Sequence, residues 1–246
     1  MRSVVLIPAR YASSRYPGKP LVMLLGKPMI LWVVELSSVA LGKDNVYVAT
    51  DDHRIADVVV GAGYQVIMTT DGALTGTDRL AQAAQEIDAD IFINVQGDEP
   101  LVDPRDILKI RDAKLANMND VINGFSWISE SEDPHSINLP KVVTNESNVL
   151  LYMSRTALPG FKEVKNAPCR YKKQVCIYAF TREELMLFSA FGRKSELEHS
   201  EDIEILRFLE TGKKVRMIET LPGSLAVDIP DDVAAVEAAL LLVSAK

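Results

Sequence analysis

The stretch SVVLIPARYASSRYPGKP, residues 3–20, decides the reading of the fold. Its start is an apolar, mostly β-branched run, VVLI, bounded by Ser3 and Pro8, and residues 3–8 are expected to form a strand. This strand runs into no tight turn but into a loop carrying Arg10, Ser13, Ser14, Arg15, Gly18 and Lys19. A strand that empties into a loop of cations and hydroxyls suits an α/β sheet, where ligands bind outside the carboxyl ends of the strands. The loop departs from G-x-x-x-x-G-K-[ST]: Ser13 stands at the first glycine position, and Pro20, with neither hydroxyl nor N–H, comes after Lys19. The dinucleotide fingerprint is absent too, because the GxG at Gly61–Gly63 is expected to end a helix instead of opening one. By residue type the loop reads either as a phosphate site shared by side-chain cations and backbone amides or as a solvated basic turn. Its place after the first strand favours the phosphate site.

Outward from this segment the first half alternates. Strands are expected at 45–50, 64–68 and 91–95, and helices at 29–41, from the Asp52 cap to about Gly61, at 77–87 with Thr77 or Asp78 as cap, and at 104–117 with proline in the first turn. Short apolar strands alternating with helices imply a mostly parallel, doubly wound sheet covered on both faces. After about Asp120 the rhythm changes. Strands are expected at 121–128, 139–143, 149–153, 174–180 and 214–218, and a long loop at 159–173. Helices are expected at 182–190, at 200–210 and from Pro230 onward. This pattern implies one two-lobed unit: an α/β core over 1–120, an extension over 121–220 that inserts into or packs on the first sheet, and a return to the core over 221–246.

Composition removes several classes of function. The net charge of −7 argues against a broad nucleic-acid surface, so an anionic ligand must be met by local positive charge. No segment approaches the about 20 apolar residues of a membrane span, and the N-terminal apolar run is too short for a secretory signal, so a cytoplasmic protein is expected. His53, His135 and His199 lie far apart from one another, and the two cysteines, Cys169 and Cys176, are expected as free thiols; neither set makes a zinc cluster. Trp32 and Trp127 are expected to pack in the core, Cys176 to be inert packing, and His199 to sit at a helix start.

Two carboxylate segments carry further chemistry. In NVQGDEP, residues 94–100, an apolar strand ends at Asp98, with Gly97 before it to allow close backbone approach. A carboxylate there can hold Mg²⁺ against phosphates, since Mg²⁺ takes one or two carboxylates plus phosphate oxygens; it can equally cap a turn. In AVDIPDD, residues 226–232, Asp228 precedes a proline-started helix and reads as a second metal carboxylate or as a plain N-cap.

IPARYASSRYPGKPL, TGTDRL, NVQGDEPL, KVVT, SRTALP, IYAF, EDIEILRFLETG and AVDIPDD occur in this order along nearly the whole chain. In that order the chain resembles the 3-deoxy-manno-octulosonate (Kdo) cytidylyltransferases. The resemblance implies a nucleotide-diphospho-sugar transferase fold with a smaller mixed second lobe for sugar binding and dimerisation. It also implies transfer of CMP from CTP to the anomeric hydroxyl of Kdo, with release of pyrophosphate. By position, it places Arg10, Ser13 and Lys19 on the CTP phosphates, Gln96 and Arg79 about the nucleotide, and Mg²⁺ on Asp98 and Asp228. A homodimer is the expected assembly.

On the sugar side, the resemblance implies that Arg155 meets the sugar carboxylate, with Tyr178 and Glu204 as further contacts. Two positions depart from the family: Gln174 stands in place of a histidine in KQVCIYAF, and Ile205 in place of a glutamine in IEILR. Loss of a hydrogen-bond partner can change discrimination by about 10⁴-fold, so a modified 2-keto-3-deoxy sugar acid, such as an amino-substituted one, is the alternative substrate. A catalytically idle nucleotide- or sugar-binding paralogue is the lesser alternative, and retention of Arg10, Lys19, Asp98 and Asp228 argues against it.

Overall fold

A computed structural model describes residues 1–12, 16–130, 132–223 and 225–244. The first half runs β1 (Ser3–Ala9), a short hairpin of β2 (Met23–Leu24) and β3 (Lys27–Pro28), α1 (Met29–Leu41), β4 (Val46–Thr50), α2 (His53–Gly61), β5 (Gln65–Met68), α3 (Gly76–Ala83), β6 (Ile91–Val95) and α4 (Pro104–Ala116). The second half adds β7 (Val121–Trp127), β8 (Lys141–Thr144), β9 (Leu150–Ser154), β10 (Lys172–Thr181) and α5 (Arg182–Ala190). It closes with α6 (Glu196–Glu201), α7 (Ile205–Glu210), β11 (Val215–Glu219) and α8 (Asp232–Ser244).

Alternation along β1 shows why the sheet is buried on both faces. Val4 and Leu6 join one core with Phe92, Leu80, Phe188 and Phe208, whereas Val5 and Ile7 join the other with Ile30, Val34, Ile93 and Ile107. Helices α3, α5 and α7 therefore cover one face, and α1, α2 and α4 the other. Each fully buried aliphatic side chain contributes about 1.5–3 kcal/mol, so four consecutive ones in β1 make it the centre of the fold.

The strand order is β11-β7-β10-β6-β1-β4-β5, with β8 pairing β10 and β9. β6, β1, β4 and β5 pair in parallel, as do β7 and β11, but β10 is antiparallel to both β6 and β7. The second half is thus built into the first sheet: β10 wedges between β6 and β7, and β8–β9 extend from it. Its register against β7 slips between Val175 and Tyr178. The Asn123 amide bridges this irregularity, donating to Val175 O and Ile177 O at 3.0 Å each.

Local chemistry accounts for most helix starts. Asp52 accepts from Arg54 N at 2.9 Å, Asp103 accepts from Arg105 N ahead of Pro104, and Thr181 forms a reciprocal capping box with Glu184. Three expected helices are corrected. Helix α3 begins at Gly76 and is capped by Thr75, not by Thr77 or Asp78, because the Thr75 hydroxyl accepts from Asp78 N. The expected single helix at 200–210 is two, α6 and α7, separated by Asp202 with φ 51°. There Arg155 takes the carbonyls of Glu201 and Asp202, and Glu204 turns away to accept from Gly76 N and Thr77 N. The C-terminal helix starts at Asp232 instead of Pro230, as the Asp232 carboxylate accepts from Asp228 N and Ile229 N.

The expected packing of the tryptophans is partial. Trp32 and Trp127 are half-buried, each donating its indole N–H, to Leu24 O and to Glu219, with Lys27 over one ring and Arg170 over the other. His199 is exposed in the last turn of α6, not at its start. No described helix is long and apolar enough to cross a membrane.

At the Thr181 end of β10, Lys114 of α4 and Glu184 of α5 form a fully buried ion pair at 2.7 Å. Lys114 also donates to Met118 O and Asp120 O. Burial holds the Lys114 ammonium below its ordinary value. Breaking such a pair costs about 3–5 kcal/mol because the other charge is stranded. Glu184→Gln is therefore expected to lower urea-unfolding stability by about that amount, and adding Lys114→Met is expected to restore most of the loss. A double variant no more stable than the single would show that the pair is not the cause.

Candidate functional site

The carboxyl ends of β1 and β6 and the N-terminus of α3 surround one cavity of about 620 Å³. β1 delivers Arg10, exposed at the rim, and β6 delivers Gln96, Gly97 and Asp98. Gly97 is needed for closeness: a Cβ there would stand 3.0 Å from Pro8 O, and Asp98 would be pushed off the rim. The basic loop is closed at its neck by Gly18 N donating to Tyr11 O at 2.9 Å. Gly18 has φ 73°, a left-handed conformation that glycine adopts without strain. The next element, the one-turn helix Lys19–Leu21, aims Lys19 back over the sheet edge. Ser13 lies outside the described residues.

Lys19 lies between the two carboxylates. Its Nζ is 2.5 Å from Asp98 Oδ2 and 3.4 Å from Asp228 Oδ1, with side chains 15%, 26% and 46% exposed respectively. The pairing is imposed by the backbone, since Val227 N donates to Asp98 O at 3.0 Å and ties the two segments side by side. The Asp228 carboxylate faces Lys19, while the Asp232 carboxylate accepts from the backbone N–H groups of Asp228 and Ile229 ahead of α8.

Among the described residues there is no group of three or more His, Cys, Asp or Glu that could hold a metal. Two carboxylates converging on one cationic nitrogen nevertheless form a donor set suited to a hard divalent ion that takes its remaining ligands from phosphate oxygens and water. Asp98 and Asp228 fit that role, and the Lys19 ammonium marks the position of the positive charge.

The other expected nucleotide residues differ in kind. Gln96 lines the cavity. Arg79 also borders it, but its guanidinium is buried, paired with Asp51 at 2.8 Å and bonded to Thr69. It holds the segment that carries Ala73, Leu74 and Thr75 to the cavity wall.

Arg155 reaches the cavity from the opposite side, and its orientation is over-determined. Nε donates to Glu201 O at 2.5 Å, Nη1 to Ile137 O at 2.8 Å and Nη2 to Asp202 O at 3.0 Å, while its backbone N–H meets Glu201 Oε2 at 2.8 Å. Glu201 also accepts from Ser154 Oγ and Tyr152 OH. Burial pushes the Glu201 carboxyl up, but these hydrogen bonds to its ionised form outweigh that and hold it below the ordinary glutamate value. Glu204 lines the cavity while bonding the first N–H groups of α3, a favourable place for a carboxylate.

Gln174, Tyr178 and Ile205 sit behind the wall and do not line the cavity. Gln174 Nε2 donates to Asn123 Oδ1 and Tyr178 OH, both at 3.1 Å. Tyr178 is buried, stacked on Phe180, and burial followed by nearby Cys176 and Glu204 drives its hydroxyl well above its ordinary value. Ile205 is 1% exposed and belongs to the core under α7. The departures read as sugar contacts are thus neighbours of the site's supporting layer. Burial also raises the Cys176 thiol, in keeping with an inert role.

Three contributors escaped the sequence reading. Asp51 comes directly after β4 at the same sheet edge and could have been found by the rule that singled out Asp98. Glu201 and the buried Arg207 leave no local signal. Arg207 bonds Glu198 twice, at 2.6 and 2.7 Å, and Asp78 at 3.1 Å, and lies over the Phe188 ring, locking α6 and α7 to α3 beneath the cavity.

Because Glu201 is lowered in the folded state, its contribution to stability is present above 4.5 and is lost as pH falls through the lowered value. Glu201→Gln is expected to flatten the acid limb of the stability curve, measured by thermal melts from neutral to acidic pH. An unchanged limb would refute the role assigned to this carboxylate.

Known proteins share this fold and much of this sequence. The cytidylyltransferase family matches residues 4–215. The 3-deoxy-manno-octulosonate cytidylyltransferase of Syntrophotalea carbinolica is 42% identical, covering 98% of this chain and 99% of the relative. The 8-amino-3,8-dideoxy-manno-octulosonate cytidylyltransferase of Shewanella baltica is 40% identical, covering 95% and 96%. A solved CMP:2-keto-3-deoxy-manno-octonic acid synthetase complexed with CTP superposes with a TM-score of 0.90 at 37% identity, covering 98% of this chain and 99% of that one. An inositol-1-phosphate CTP transferase from T. maritima, at 16% identity and a TM-score of 0.71, shares the fold.

Proposed function

The chain belongs to the cytidylyltransferase family, and on that premise we propose that it transfers CMP from CTP to the anomeric hydroxyl of 3-deoxy-manno-octulosonate, releasing pyrophosphate. The observation that carries this reading is the convergence of Arg10, Lys19, Asp98 and Arg155 on one cavity, with Asp228 joined to it through Lys19, in a chain similar from end to end to enzymes named for that reaction.

The anomeric oxygen attacks the α-phosphorus, the bond from that phosphorus to the bridging oxygen of the β-phosphate breaks, and pyrophosphate departs with the electron pair. The hydroxyl proton passes to solvent. Such a transfer asks for alignment and neutralisation of charge more than for covalent chemistry. Arg10 and Lys19 stand where they can neutralise the triphosphate and the leaving pyrophosphate. Arg155, held by three carbonyls, presents a preset guanidinium to the sugar carboxylate. Asp98 and Asp228 would hold Mg²⁺, which when bound supplies polarisation of the phosphate and lowers the cost of ionising the attacking hydroxyl.

A second reading changes only the sugar. The relative named for the 8-amino acid is 40% identical and the one named for Kdo 42%, a margin too narrow to separate the two substrates. The homodimer belongs to the same proposal: Ile137, Leu151, Phe161 and Val164, exposed around the β8–β9 extension, supply apolar area for it.

Pyrophosphate release from CTP and Mg²⁺, measured with Kdo and with 8-amino-3,8-dideoxy-manno-octulosonate, tests the assignment. Turnover with Kdo is expected; turnover with the amino sugar alone would overturn the substrate, and none with either would overturn the enzyme. Asp98→Asn is expected to reduce turnover by about a thousandfold or more with an unchanged melting temperature, and near-normal turnover would refute its role.

A further inference from the structure

Lys19 touches both carboxylates assigned to the metal, at 2.5 Å and 3.4 Å. Its backbone is tied down independently: Lys19 N donates to Tyr16 O at 3.2 Å, Lys19 O accepts from Val22 N at 3.1 Å, and Gly18 closes the loop neck on Tyr11. The four-carbon stem is therefore the mobile part, and it reaches the carboxylates from a fixed pivot on the rim beside Arg10. In this arrangement the ammonium offsets part of the negative charge that Asp98 and Asp228 bring to the end of β6.

We propose that Lys19 is an internal counter-ion that makes metal binding conditional on nucleotide. This rests on the reading of Asp98 and Asp228 as the metal carboxylates. An ammonium at hydrogen-bond distance from Asp98 Oδ2 claims an oxygen that a divalent ion needs, and its own charge repels that ion. A triphosphate reaching the rim offers Lys19 a more highly charged partner within the sweep of its side chain. When Lys19 swings to the phosphates, Asp98 Oδ2 is released to a metal. Nucleotide and metal thus bind with positive coupling, and by reciprocity each tightens the other by the same factor. When pyrophosphate leaves, the ammonium returns and the carboxylates lose their metal. The free form thus does not collect metal ions without substrate.

The test uses Mn²⁺ as probe, read by the paramagnetic resonance of the free ion, on the full chain without sugar. Wild type, Lys19→Met and Asp98→Asn are each titrated with and without CTP. Without CTP, Lys19→Met is expected to bind Mn²⁺ about tenfold or more tightly than wild type, and Asp98→Asn added to it is expected to remove the gain. Lys19→Met binding no more tightly than wild type, or a gain that survives Asp98→Asn, overturns the counter-ion role. If the wild type with CTP binds Mn²⁺ no better than Asp98→Asn with CTP, the metal assignment itself has failed. Lys19→Gln, which keeps a polar tip without the charge, provides the same comparison if Lys19→Met does not fold.

Discussion

Two carboxylates and one ammonium set the terms for the rest of this molecule. At an effective dielectric of 20, two like charges about 4 Å apart oppose each other by on the order of 4 kcal/mol, so Asp98 and Asp228 can be held together only against a cation. The backbone bond from Val227 to Asp98 brings them side by side, and Lys19 supplies the charge. Each partner comes from a different element end: Lys19 from the loop after β1, Asp98 from the end of β6, and Asp228 from the segment before α8. The central pairing of β1 with β6 makes the first two neighbours, and the packing of α8 with Leu24 and Met29 brings the third.

The opposite wall depends on a second electrostatic arrangement, and that one is buried. Arg207 holds Glu198 and Asp78, so the broken helical segment α6–α7 cannot shift relative to α3 without stranding three charges. Glu204 then meets the N-terminus of α3, and the break at Asp202 leaves carbonyls that Arg155 takes. A guanidinium held on three fixed acceptors loses little freedom on meeting a carboxylate, which is the basis of preorganised recognition. Lys19 is tied to its carboxylates through the end of one long side chain, whereas the Arg155 guanidinium is held on three carbonyls.

Legibility in the sequence tracked the range of the interactions. Strand β6 and helices α1 and α5 lie where the apolar spacing put them, because periodicity and capping act within a turn or two. The helix expected at 200–210 failed for a long-range reason: its interruption is stabilised by Arg155 and by α3, neither of which is local to it. Asp228 shows the same limit. The segment AVDIPDD leaves Asp228 as a metal carboxylate or an N-cap, and only the approach of Lys19 and Asp98 shows its carboxylate facing the cation. Gln174 and Ile205 illustrate it in reverse. Both are at positions that the resemblance ties to the sugar, yet both face the layer behind the cavity, Gln174 on Asn123 and Tyr178 and Ile205 in the core.

By itself the sequence determined an α/β sheet with buried strands, a basic loop at the end of the first of them, a carboxylate at the end of β6, and membership of a cytidylyltransferase family. These rest on runs of residues and on motif order, which are properties of the chain read locally. Tertiary structure alone decided that β10 enters the sheet reversed, that Glu201 anchors Arg155, that Arg79 is committed to Asp51, and that Lys19 stands between the two carboxylates. Those outcomes depend on which distant segments share a boundary, and that is settled by the free energy of the whole core and by the cost of leaving any buried charge without a partner.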